Sequence, residues 1–248
     1  MTEITQQKTA AILPIGNEIL SGKTLDSNSN WIAQKLGMHG IRLREIRAIP
    51  DDKNTIIDAV NTLRRKFSYV FTTGGIGPTH DDITADAMAD AFGVNLVRDN
   101  KAYEILLDYY GLDEMNPGRE KMALIPEGAK LIQNPVTAAP GFRIENVFVM
   151  AGVPKIMKAM MEDILDSFEP GLPFLARHIS CNYPESVVAE LLTAIQTEHS
   201  NVDIGSYPRI KEDGSFMVNV VVRGQEEKAL ESAEKAIQQA LESLKKTG

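Results

Sequence analysis

Apolar residues come in two rhythms along this chain, and the rhythms alternate. Thr9 to Ile15 is a short apolar run stopped by Gly16, the pattern of a strand buried on both faces. Asp26, Ser27, Asn28 and Ser29 then offer capping side chains ahead of Trp31, Ile32 and Leu36, which share one helical face before Gly37 or Gly40 ends it. Ile41 to Ile49 alternates apolar and charged residues as a strand does, and Pro50-Asp51-Asp52 closes it. Ile56, Ile57, Val60 and Leu63 mark a second amphipathic helix. Tyr69 to Thr73 reads as a third strand, followed at once by Gly74-Gly75-Ile76-Gly77-Pro78. Asp81 or Asp82 is placed to cap the next helix, which carries Ile83, Ala87, Met88 and Ala91 on one face with Gly93 beyond its end.

Three strand–helix pairs in succession predict a doubly wound parallel sheet, an α/β fold. Asp99 to Tyr110 and Pro117 to Leu124 read as further helices. Leu131, Phe142 and Val147 to Met150 belong to strand-like pieces broken by Pro135, Pro140 and Gly141. The strongest periodic signal follows, with Val153, Ile156, Met157, Met160, Met161, Ile164, Leu165 and Phe168 at helical spacing. Glu169-Pro170-Gly171-Leu172-Pro173 is the best linker, which predicts two domains, 1–170 and 171–248. The second reads β-α-β-β-α: a strand at Arg177 to Cys181 and a helix at Glu185 to Thr197. Strands around Val202 to Pro208 and Phe216 to Arg223 follow, joined at Asp213-Gly214, and the last helix carries Leu230, Ile237 and Leu241.

Composition narrows the function classes. Of 248 residues, 43% are hydrophobic and 24% charged, which excludes collagen-like, low-complexity and disordered chains. The net charge of −8 sets bulk attraction to nucleic-acid phosphates at a disadvantage. Cys181 stands alone, so neither an internal disulfide nor a CxxC metal clip is available. The stretch from Met1 to Lys8 is polar, unlike a signal peptide, and no apolar run nears the roughly 20 residues that span a bilayer. A soluble cytoplasmic protein without membrane partners is expected.

Ligands of open parallel α/β sheets bind beyond the carboxyl ends of the strands. Three segments occupy such ends: Gly16-Asn17-Glu18, Pro50-Asp51-Asp52, and Thr72 to Asp82, which reads TTGGIGPTHDD. Its three glycines let backbone approach a ligand, and free N–H groups at the following helix favour an anion, so the loop reads as a phosphate cradle. It is neither a Walker A loop nor a GxGxxG fingerprint. Carboxylates surround it nonetheless: Asp81, Asp82, Glu18 and Asp51. Either a divalent metal bridges them to phosphate, or they accept N–H bonds from a heterocycle such as a pterin or purine. The plainer alternative makes Asp81 and Asp82 helix caps and Glu18 a solvated loop residue.

Gly16-Asn17-Glu18-Ile19-Leu20, Ser27-Asn28-Ser29, Asp51, the run Thr73 to Thr79 with Asp81-Asp82-Ile83-Thr84, and Asn134 to Phe142 occur in an order that closely resembles the CinA (competence/damage-inducible protein) family. The resemblance spans roughly residues 9 to 170 and continues more weakly beyond. It implies a three-layer, mostly parallel molybdenum-cofactor-biosynthesis domain that binds molybdopterin or a related nucleotide, often as a homo-oligomer, followed by a small α+β KH-like domain. It also implies a candidate activity, metal-dependent hydrolysis of a nucleotide pyrophosphate such as ADP-ribose, with non-catalytic binding or molybdopterin adenylyl transfer as alternatives. The C-terminal deamidase domain of longer members is expected to be absent.

Carried over, Gly74, Gly75, Gly77, Pro78 and Thr79 hold the phosphate end. Asp51, Asp81 and Asp82 face the ring or a metal as the catalytic candidates, with Asp51 and Asp81 as metal ligands. Glu18 and Asn28 line the mouth of the first strand, and Gly16, Asn17, Thr73 and Gly141 complete the ligand-binding set. The sequence departs from the family at Pro135 to Gly141, where many members place a Gly before Ala-Pro-Gly. It departs again at Ile156, which stands where an acid is usual and takes away one potential metal ligand.

Other conspicuous residues read plainly. His80 could donate to a phosphate or simply be solvated, and His39, His178 and His199 form no cluster with Cys. Met157, Met160 and Met161 are core residues, and Cys181 is a small buried hydrophobe. From Gly171 onward eight Lys and Arg face eleven Asp and Glu, and no GXXG occurs, so no nucleic-acid partner is expected.

Overall fold

The computed structural model describes residues 7–169, 171–210, 214 and 216–247. The polar lead up to Gln6, Pro170 of the linker and Asp213 of the hairpin turn lie outside the described residues. The chain divides into two compact units, one ending at Gly171 and one beginning at Leu172.

The first unit starts with β1 (Thr9–Pro14), the short helix α1 (Asn17–Leu20), α2 (Ser27–Met38), β2 (Arg42–Ile46), α3 (Lys53–Lys66) and β3 (Tyr69–Thr73). It continues through α4 (Thr84–Phe92), β4 (Leu96–Arg98), α5 (Asn100–Tyr110), α6 (Pro117–Lys121), β5 (Leu124–Pro126) and β6 (Lys130–Ile132). It ends with β7 (Gly141–Ile144), β8 (Val147–Met150) and α7 (Pro154–Leu165). Six strands form one sheet in the order β2-β1-β3-β8-β7-β6. Pairing is parallel from β2 through β8 and antiparallel on both sides of β7, so β7 alone runs against the rest.

Side-chain parity in β1 explains the three layers. Ala11 and Leu13 pack with Ile56, Val60 and Leu63 of α3 and with α4 and α5, whereas Ala10 and Ile12 pack with Ile32 and Leu36 of α2 and with α7. Successive strand residues face opposite sides, so a strand buried on both must be apolar throughout, as TAAILP nearly is. Met157, Met160 and Met161 are fully buried on the α2 side. The Asp26 carboxylate caps α2, accepting from the Ser29 N–H at 2.9 Å. Asp26→Ala should cost about 1 kcal/mol, lowering the first unit's melting midpoint by roughly 2–4 °C in calorimetry.

Two expectations need correction. No side chain caps α4: its N-cap is Ile83, because Asp82 is turned back to Thr79 within the loop. The stretch Ile41 to Ile49 pairs as a strand only to Ile46, then touches β1's end through one bridge between Ile49 and Ile15. The elements α1 and β4 had no sequence signal. The first is a single turn, and the second pairs only with β5, outside the main sheet.

The second unit runs β9 (Leu175–Cys181), α8 (Glu185–Glu198), β10 (Asp203–Ile210), β11 (Phe216–Gly224) and α9 (Glu227–Thr247). Its antiparallel sheet has the order β10-β11-β9. Val188, Leu192, Val220, Leu230 and Ile237 centre its core, and Cys181 is buried among them.

Candidate functional site at the carboxyl edge of the parallel strands

The loop after β3 is built by close backbone approach. The Gly74 N–H donates to Met150 O at 3.0 Å, and the Ile15 N–H donates to Thr73 O at 2.9 Å, tying the ends of β1, β3 and β8 together. Gly74 and Gly75 adopt φ of 104° and 70°, in the left-handed region that favours glycine. A Cβ on Gly74 would sit 2.2 Å from the Ile15 carbonyl oxygen, and one on Gly75 would sit 2.1 Å from Thr84 Oγ1. Thr84, the first residue of α4, closes the loop: its hydroxyl donates to Gly74 O at 3.1 Å and its N–H to Gly75 O at 2.9 Å. The N–H groups of Gly75, Ile76 and Gly77 donate to no other group among the described residues. Successive free amides in a turn of this kind form an anion-binding concavity.

Thr79 organises the acidic side of the loop. Asp82 accepts from its N–H at 2.8 Å, while Asp82 and Asp81 each lie 2.6 Å from its hydroxyl. That hydroxyl has one proton, so it serves one carboxylate at a time. Lys121 donates to the carbonyl of the same residue. The Thr79 hydroxyl is the main cause holding the Asp81 carboxyl below its ordinary value, helped by the residue's own N–H and, more weakly, by His80 and Lys121. A pKa depressed on folding contributes stability at neutral pH that is lost as pH falls from 3.8 through the folded value. Thr79→Val should return the Asp81 midpoint toward 3.8, read by carboxyl-carbon NMR titration; an unchanged midpoint would refute the hydroxyl's role.

The other acids are held separately. The Asp51 carboxylate accepts from the Asn17 N–H at 2.9 Å, and Asp52 caps α3 through Thr55. Glu18 folds back over Gly16, whose added Cβ would meet both its carboxylate oxygens at 2.6 Å.

These parts surround an open cavity of about 650 Å³. Of the residues singled out in sequence, Glu18, Asp51, Gly74, Gly75, Gly77, Pro78, Thr79, Asp81 and Asp82 line it. Gly16, Asn17, Asn28, Thr73 and Gly141 do not. Gly16 and Asn17 act through backbone: Gly16 N–H joins Ile49 O at 3.1 Å, and Asn17 holds Asp51. Thr73 and Asn28 line a smaller neighbouring pocket, and the Asn28 amide donates to Gly152 O at 2.7 Å, fastening α2 to the turn after β8. Its Oδ1 is buried without a partner among the described residues. Gly141 begins β7 and lets it approach β8, since a Cβ there would lie 2.4 Å from Val149 O.

Sequence reasoning missed several wall residues. Tyr110 at the end of α5, Met122, Thr24 and Asn134 all reach the cavity, as do Val153, Pro154 and Ile156 at the start of α7. Asn134 had a signal, at the head of a flagged run, and Ile156 was singled out for the acid it replaces rather than as a wall residue. Asn134 is 6% exposed and ties that run into a turn, accepting from Val136 and Thr137 N–H and donating to Ala139 O at 2.8 Å. Ile156 adds an apolar surface where an acid was expected from the resemblance.

Among the described residues no group of three or more His, Cys, Asp or Glu side chains is placed to hold a metal. Of the expected pair of metal ligands, Asp51 accepts from the Asn17 N–H and Asp81 from the Thr79 hydroxyl, and both line the cavity. Asp81 and Asp82 are the two carboxylates that converge, and Mg²⁺ needs no more than one or two when substrate phosphates supply further oxygens. No helix among the described residues is long and apolar enough to cross a membrane.

Comparison with known proteins bears on this site. Residues 11–176 match the family described as "Probable molybdopterin binding domain", and residues 173–246 match that described as "FAD synthase, middle domain". A protein of Archaeoglobus fulgidus is 36% identical over 233 residues, 94% of this chain and 96% of the relative. One from Thermococcus kodakarensis is 39% identical over 215 residues, 81% of this chain and 85% of the relative. Among solved structures, the protein CinA with unknown function from Thermoplasma acidophilum is similar, with TM-score 0.62 and 34% identity. That match covers 64% of this chain and 97% of the other.

Proposed function

The chain belongs to the molybdopterin-binding domain family, and from that premise we propose that its first unit binds a phosphate-bearing pterin or nucleotide, of the molybdopterin class, in the 650 Å³ cavity. One observation carries the reading: three successive backbone amides, Gly75 to Gly77, are unpartnered in a cavity at the carboxyl edge of the parallel strands. Such amides suit phosphate oxygens. The carboxylates of Glu18 and Asp51 on the same walls are acceptors, which suit the N–H groups of a heterocycle rather than its phosphate. The volume lies within the range of small-molecule sites.

The convergence of Asp81 and Asp82 on Thr79 favours a second reading, cleavage of a nucleotide pyrophosphate. A divalent cation held by these two carboxylates and the ligand's own phosphate oxygens would supply charge neutralisation. The protein's part is to hold both carboxylates at the Thr79 hydroxyl, which lowers the Asp81 carboxyl, and to place the phosphate against the Gly75–Gly77 amides.

A thermal-shift series separates the readings, because a ligand bound to the native state raises its stability by mass action. ADP-ribose, FAD, ATP and a molybdopterin precursor are each tested with Mg²⁺ or with chelator, and products are followed by chromatography. Binding alone gives a shift that survives chelator without product. Hydrolysis gives a metal-dependent shift with AMP appearing, and Asp81→Asn then abolishes turnover. Adenylylated pterin formed only when both substrates are present indicates adenylyl transfer. No shift with any ligand sinks the reading.

A further inference from the structure

Of the described residues that line the cavity, Tyr110 alone carries an aromatic ring. It closes α5 and is half-buried, and its surroundings hold it in place from two sides. The Arg119 guanidinium lies over one face, 4.0 Å from the ring centroid, and the Tyr109 ring stands perpendicular to it at 4.9 Å. Arg119 is itself fixed, since it donates to the Glu114 backbone carbonyl and to the Glu114 carboxylate, the latter at 3.1 Å. Tyr110 lines the cavity while also packing against the core of the first unit, and Arg119, which covers one of its faces, does not line the cavity.

A flat heterocycle gains most where a rigid ring is already in position, because stacking then costs little further ordering. The guanidinium over one face of the phenol adds a contact of the cation–π kind. We propose that Tyr110 is the stacking platform for the ring of the bound pterin or nucleotide. Its backing by Arg119 pre-organises the platform, while the Gly75–Gly77 amides take the phosphate end. This inference rests on the functional reading above and assigns its ring-binding residue. It also predicts tolerance: stacking accepts any planar π-face, so affinity depends on ring area more than on the hydrogen-bonding pattern of the ring edge.

The test uses the full chain and three probes measured by calorimetric titration: ADP and dihydroneopterin triphosphate, which carry rings, and inorganic pyrophosphate, which does not. Tyr110→Leu should weaken both ring-bearing probes about tenfold or more, by analogy with base–aromatic stacking measured through side-chain removal. Tyr110→Phe should keep them within about twofold, and pyrophosphate binding should be unchanged in both variants. If Tyr110→Leu binds the ring-bearing probes as the parent does, the stacking role is overturned while the cavity assignment stands. An equal loss for pyrophosphate also overturns it, since Tyr110 would then be shaping the loop. If the parent chain binds none of the three probes, the functional reading fails and this inference fails with it. Unchanged pyrophosphate binding by Tyr110→Leu guards against a folding defect being read as lost stacking.

Discussion

Gly74→Ala is expected to destabilise the first unit by about 4 kcal/mol, from backbone strain of roughly 1–3 kcal/mol and a steric clash of similar size. At φ 104° an alanine is strained wherever its side chain goes, and here its Cβ would lie 2.2 Å from the Ile15 carbonyl oxygen, which is backbone and has no rotamer to escape into. The same backbone anchors the joined ends of β1, β3 and β8, so relief of the clash must pull that junction apart. Calorimetry should show the melting midpoint falling by roughly 8–16 °C, and ligand-induced thermal shifts should vanish with the displaced amides. Gly93→Ala is the control. Gly93 ends α4 at φ 66° with nothing within 4 Å of an added Cβ, so only the left-handed strain of about 1 kcal/mol applies. Equal losses in the two variants would show that contact with Ile15 plays no part.

Phe148→Ala should cost a comparable amount, about 3–5 kcal/mol, for a different reason. Phe148 is fully buried in β8, stacked on Phe71 of β3 at 5.2 Å and 22°, with Phe168 edge-on to it at 5.3 Å. Phe168 also closes on Phe71 at 5.7 Å and Tyr69 touches all three, so the four rings form one unit and removing Phe148 leaves a void that its neighbours cannot fill by small shifts. Urea titration reads the loss as a lower midpoint at unchanged slope. Affinity for any ligand, measured on the folded fraction, should stay within about twofold, because Phe148 does not line the cavity. A loss of affinity matching the loss of stability would mean that the core and the loop junction are coupled. Gly74→Ala and Phe148→Ala therefore separate a residue that shapes the site from one that only holds the sheet.

The elements of the first unit differ in how much their sequence betrayed. The fully apolar run of β1 and the stripe of α3 are direct consequences of burial, and so were legible. The loop TTGGIGPTHDD was legible because left-handed backbone and close approach demand glycine, a demand that leaves a mark in the sequence. Asp82 misled because a carboxylate ahead of a helix usually caps it, whereas here the Thr79 N–H and hydroxyl compete for it and win. Gly141 has a structural demand of its own, the approach of two strands, which the sequence does not distinguish from a ligand's. Tyr110 and Met122 left no mark at all, since a helix-end aromatic and a buried methionine look the same in sequence whether they face a core or a cavity.

What the sequence determined by itself was therefore local and periodic: which segments are strands or helices, and where glycine must sit. It also carried the family to which the whole arrangement belongs. Only the tertiary structure decided the rest. The two-residue link Glu145-Asn146 obliges β7 to run antiparallel to β8, but that β8 lies parallel against β3 follows only from how the layers assemble. That Asp81 and Asp82 meet at one hydroxyl while Asp51 is drawn to Asn17, and that Tyr110 arrives at the cavity with Arg119 over one face, follows from chain segments brought together by packing. Such proximity is set by the burial of whole faces, a property of the assembled layers rather than of any stretch of residues.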